Sequence, residues 1–66
     1  MITVIPTDIY DKDGNMLRIE FHDESGKHQI DAAWDESDAQ TSENREAFRN
    51  WAYKFIEKKD FKVRVV

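Results

Sequence analysis

The chain contains no cysteine, so neither a disulfide nor a cysteine-ligated zinc can brace it. A reducing cytoplasm is the compartment this absence fits. It has one proline and two glycines, and both glycines fall in turn-like stretches, so no glycine-rich loop is present to cradle a phosphate. No apolar run approaches the length of a membrane span, and no signal or transit peptide is visible. What remains is a short, highly charged chain. Its 66 residues suffice for one domain with one small core. It opens at Met1 with neither tag nor linker and is expected to be a whole small gene product.

Charge is abundant and unevenly placed. Fourteen acids against ten bases give a net charge of −4, which favours solubility and argues against general polyanion binding. Residues 1–44 hold eleven of the acids and three of the bases, and residues 45–66 hold the other three acids and seven bases. Asp31, Asp35, Glu36, Asp38 and Glu43 form a run with no Lys or Arg among them. Part of this asymmetry is what a helix dipole favours, with acids at the N-terminus and bases at the C-terminus. In size and composition the chain is similar to the small, acidic, cysteine-free open reading frames common in bacteriophages and prophages.

The one strongly periodic segment is Ser42–Lys58. Ala47, Phe48, Trp51, Ala52, Phe55 and Ile56 fall on one stripe of a 3.6-residue helix. Burying each large aromatic fully is worth roughly 1.5–3 kcal/mol. The opposite face would carry Glu46, Arg49, Asn50, Tyr53, Lys54 and Glu57. Thr41 or Ser42 can cap the start, Glu43 suits the first turn, and Lys58 and Lys59 suit the end. A helix about 25 Å long is marginal alone in water, so it must pack on the strands that the rest of the chain supplies.

Residues 2–10 read as a strand interrupted at Pro6, where an edge or a bulge is expected because proline donates no ladder hydrogen bond. Residues 16–22 alternate, with Leu17, Ile19 and Phe21 on one face. A three-residue loop, Lys12-Asp13-Gly14 with Gly14 left-handed, would join them. That loop places Ile9 opposite Leu17, Thr7 opposite Ile19 and Ile5 opposite Phe21, and sets Tyr10 against Met16 and Asp8 against Arg18 on the outer face. A two-residue turn would put Asp8 among the apolar residues and is disfavoured for that reason. A four-residue loop, Asp23–Gly26, would pair Phe21 with His28 and lead to a third strand near Lys27–Ala32. After the helix, Phe61–Val66 reads as a last strand facing inward with Phe61, Val63 and Val65. The fold expected is α+β, a single β-β-β-α-β domain. One helix crosses one face of a four-stranded, mostly antiparallel sheet in the order 3-2-1-4, with a right-handed crossover that sets the last strand beside strand three as the alternative.

Chemistry-bearing motifs are scarce. Asp11-x-Asp13-x-Asn15 resembles the opening of a calcium loop, but Met16 and His22 occupy the positions that need Gly and a bidentate Glu. A hairpin turn accounts for those residues. His22 and His28 would point to opposite faces in the register above. His28 would then stack on Phe21, and His22 would be solvated beside Lys27. No nucleophile–base pairing or metal set emerges, so neither an enzyme nor a bound metal or cofactor is expected.

Three non-catalytic readings remain. The first is a protein-interaction module docking onto a basic partner through Trp34, Asp35, Glu36 and Asp38, with Glu46, Asn50, Tyr53 and Glu57 adjoining. Trp34 can serve there as an aromatic anchor ringed by acids, or it can plug the end of the core. The second is nucleic-acid binding through Lys54, Lys58, Lys59, Phe61, Lys62 and Arg64, where bases flank an aromatic. The third is assembly, with a monomer pairing weakly into a homodimer through sheet edges.

Overall fold

A computed structural model describes all of Met1–Val66. Five elements follow one another: strands β1 (Ile2–Tyr10), β2 (Met16–Asp23) and β3 (His28–Ala33), helix α1 (Ser42–Lys58) and strand β4 (Phe61–Val63). The sheet order is β3-β2-β1-β4, with β1–β2 and β2–β3 antiparallel and β4 parallel to β1. This is the expected β-β-β-α-β architecture. No helix is long and apolar enough to cross a membrane. The core consists of Val4, Met16, Ile19, Phe21, Ala32, Trp34, Ala52 and Ile56.

Both hairpins turn on the same device. Asp11 and Asp23 each accept, through Oδ1, the amide N–H groups two and four residues ahead, at 2.9–3.0 Å. Gly14 and Gly26 follow three residues on, at φ 81° and 90°. Only glycine adopts that left-handed conformation without a steric penalty. The first loop is the expected Lys12-Asp13-Gly14. The second is Glu24-Ser25-Gly26, one residue shorter than expected, because Asp23 and Lys27 close it with a backbone hydrogen bond.

The register departs from a simple alternation at two bulges. Tyr10 faces Met16 as expected, but Ile9 faces Arg18, which leaves Leu17 as an extra residue on β2. Every pairing beyond it therefore moves by one: Asp8 faces Ile19 and Pro6 faces Phe21. Met16 is buried, and Leu17, expected in the core, is 44% exposed. A second bulge makes Gln29 the extra residue on β3, so Phe21 faces Ile30 and His22 faces His28.

Pro6 is tolerated within β1 because of where β4 stops. The amide of Arg64 donates to the Val4 carbonyl. Val4 thus turns its polar groups toward β4, and by the strand's period of two the missing N–H of Pro6 falls on the same side. The β4 ladder covers only Ile2–Val4. Beyond it that edge of β1 is open, and no donor is needed. The last strand is accordingly three residues, not six, and Val65 is 64% exposed rather than inward-facing.

The helix is capped by Thr41, whose Oγ1 accepts the Asn44 amide at 3.1 Å. It is rotated from the expected orientation. Ala52 and Ile56 are fully buried, and Phe48 and Phe55 are partly buried. Tyr53, expected on the polar face, packs edge-to-face on Phe21 with centroids 6.1 Å apart. Trp51, expected on the inward stripe, is 52% exposed. Two contacts set this rotation. The small side chain of Ala52 lets the helix approach the sheet closely. Arg49 reaches inward, donating from Nε and Nη2 to Asp8 Oδ2 at 3.1 and 2.9 Å, and from Nη2 to the Tyr10 hydroxyl at 3.2 Å. Asp8 therefore sits on the helix-covered face with a partner supplied.

Candidate functional site

Trp34 leaves β3 on its hydrogen-bonded edge, its amide donating to the Leu17 carbonyl at 3.0 Å. Its side chain is 8% exposed and packs edge-on against Phe48, centroids 5.2 Å apart. Of the two places open to Trp34, surface anchor or plug of the core, it takes the second, and its indole Nε1 is buried without a hydrogen-bond partner. Tyr53 is likewise part of the packed interior.

The loop after Trp34 is shaped by Asp35. Its Oδ1 accepts the Ser37 hydroxyl at 2.8 Å and the Ser37 amide at 3.0 Å. The hydroxyl first, and then the amide, holds the Asp35 carboxyl below its ordinary 3.8. The amide of Asp38 donates to the Asp35 carbonyl at 3.0 Å, so both aspartates belong to one turn. Gln40 fastens the loop's far end to the sheet: its Oε1 accepts the Met16 amide and its Nε2 donates to the Met16 carbonyl.

This turn and the first three turns of α1 border an open groove of about 370 Å³. Phe48, Trp51, Ala47 and Ala33 give it apolar walls, and Asp35, Asp38 and Asn44 give it polar ones. Trp51 belongs to an aromatic ladder along the helix. It stacks on Phe48 at 6.1 Å and on Phe55 at 5.1 Å, and Lys59 Nζ lies 5.2 Å from the Phe55 ring centroid, as a cation–π contact. The protein's ion pairs are made by Arg18, His22, His28 and Arg49, and none reaches Asp35, Glu36, Asp38 or Glu46.

Of the residues expected to bind a partner, Asp35 and Asp38 therefore meet at the groove, and Glu36 is exposed on the same loop. Glu46, Asn50 and Glu57 are exposed on α1 but do not line it. Asn50 already lies about 100° round the helix from Trp51. The residues the sequence reading missed are Trp51, Phe48, Ala47, Asn44 and Ala33. One signal was available: three large aromatics on one stripe are more than a sheet of this size can cover. In the basic set, Lys54, Lys58, Lys59, Lys62 and Arg64 are exposed, whereas Phe61 packs against the core and is not a free stacking surface.

The sheet face away from the helix carries a second polar cluster. Glu20 holds Arg18 at 2.8 Å through Oε2 and His22 Nε2 at 3.0 Å through Oε1. The rings of His22 and His28 stack at 5.1 Å, and His28 Nε2 pairs with Asp31. The histidines thus share one face, contrary to the sequence expectation, because the three-residue turn sets them directly opposite each other. His22 is held above its ordinary 6.5, chiefly by Glu20. No group of three or more His, Asp or Glu is arranged to hold a metal ion.

Compared with protein-family models, curated proteins and solved structures, the chain matches none.

Proposed function

We propose that the protein is a non-catalytic interaction module that docks the acidic groove beside Trp51 onto a basic surface of a partner protein. The observation that carries this reading is the coincidence of two features in one place. A half-exposed tryptophan lines a groove whose carboxylates, Asp35 and Asp38, have no base from their own chain. Tryptophan is the residue type most enriched where binding energy concentrates, and complementary charge accelerates encounter and selects partners. Where the partner is itself a nucleic-acid-binding protein, Asp35, Glu36 and Asp38 would stand in for phosphates.

The test compares the tagged wild type with Asp35→Lys/Asp38→Lys in affinity capture from bacterial lysate, with and without nuclease, read by mass spectrometry. The expected result is a protein retained by the wild type in both samples and absent from the variant. Equal retention by the variant overturns the reading. Recovery that disappears with nuclease moves the function to Lys54, Lys58, Lys59, Lys62 and Arg64.

A further inference from the structure

We infer that the groove is a receptor for a single arginine side chain presented by the partner, an inference that rests on the docking reading above. The groove is at the small end of the roughly 300–1,000 Å³ spanned by small-molecule sites, so its 370 Å³ suits one long side chain better than a cofactor. Its composition has two halves. Ala33, Ala47 and Phe48 offer apolar wall to a methylene stem. Asp35 and Asp38, on one turn, offer carboxylates to its head. Asp35 Oδ1 is already occupied by Ser37, which orients the carboxylate and leaves Oδ2 without a partner. Asn44 donates its Nδ2 to the Ala39 carbonyl, leaving its side-chain oxygen as a further acceptor. The two carboxylates have no cation of their own, so the occupant they favour carries positive charge and several donors.

The aromatic wall separates arginine from lysine. A guanidinium is planar and weakly hydrated and presents five N–H groups in a fork matched to carboxylates. An ammonium is compact and strongly hydrated and loses more on entering a half-apolar groove. The ladder already holds one cation, Lys59 over Phe55, at its C-terminal end. Trp51, the middle ring, is met by none.

The experiment is a titration of the isotope-labelled protein with acetyl-Gly-Arg-Gly-amide, following the Trp51 indole N–H and the Asp35 and Asp38 amides by NMR. The lysine and citrulline analogues are the comparisons. Millimolar binding is expected for the arginine peptide. It should weaken by roughly tenfold or more with citrulline, which keeps the shape and loses the charge, and lysine should fall between. Asp35→Asn and Trp51→Ala, both at exposed positions, should each weaken the arginine peptide and leave the spectrum otherwise folded. Equal shifts from all three peptides overturn the inference, since apolar contact alone would explain them. An oligo-arginine peptide that moves Asp35, Glu36 and Asp38 while Trp51 stays still overturns the pocket but leaves acidic docking standing. If no basic probe moves any of these signals, both readings fail. A single-stranded oligonucleotide that moves Trp51 and Phe55 in place of the peptides overturns both in favour of a stacking platform.

Discussion

The two tryptophans divide the protein's labour. Trp34 is in the core and Trp51 is half in water, so their truncation should separate stability from binding. Trp34→Ala should lower unfolding free energy by about 3–5 kcal/mol, the usual loss for a buried aromatic, measured by urea denaturation. Trp34→Phe should cost distinctly less, since the smaller ring also removes an orphaned N–H, a group whose burial costs about 1–3 kcal/mol. Trp51→Ala should change stability by less than about 1 kcal/mol, in keeping with a surface position. A large loss from Trp51→Ala would mean that the aromatic ladder holds the helix in place. The core position of Trp34 was one of the two readings its residues allowed, whereas Trp51, on the aromatic stripe, was expected inside and packing leaves it half in water.

Helix α1 ends at an unusual residue. Lys59 and Asp60 close the last turn with hydrogen bonds to the Ile56 and Glu57 carbonyls, and Asp60 takes a left-handed φ of 72°. Left-handed backbone is strained for any residue with a Cβ, and an acid at a helix C-terminus opposes the dipole. Asp60→Gly should therefore raise stability by about 0.5–1 kcal/mol, seen as a higher urea midpoint at unchanged slope. A lower midpoint would show that the aspartate side chain is needed to end the helix. The helix's limits were readable from Thr41, Glu43 and Lys58, which act locally. Its rotation was not, because it depends on Arg49 reaching Asp8, forty-one residues away in sequence.

Across the whole molecule, acids held by hydrogen bonds set the response to pH. Asp11 is held below its ordinary value chiefly by the Asn15 amide, and Asp23, at about 2, chiefly by the Ser25 hydroxyl. Asp35 is held down by Ser37, and Glu20 by His22. In each case the unfolded chain binds protons more readily than the folded one. The stability they contribute is present above about pH 4.5 and is lost as pH falls through the folded values, down to about 2 for Asp23. His22 has the opposite sign: its contribution is full below 6.5 and is lost as pH rises through its raised value. The folded state should thus be most stable between about pH 4.5 and 6.5. Urea midpoints across pH 2–9 would read this out, and a flat profile below pH 4 would contradict it. Glu20→Gln should bring the His22 titration, followed by NMR, back toward the ordinary histidine value.

Element order and the place of both turns, the second to within one residue, follow from the sequence by itself, because periodicity, capping residues and the Asp-x-x-Gly turns act over a few residues. The tertiary structure decided which side of each element faces inward. A single extra residue, Leu17 or Gln29, reverses every later side chain of a strand, and a turn of the helix about its own axis exchanges Trp51 for Tyr53. Those choices depend on contacts between distant parts of the chain: Ala52 seated on the sheet, and Arg49 on Asp8. They gather Asp35, Asp38 and Trp51 around one groove, which local sequence has no means to specify.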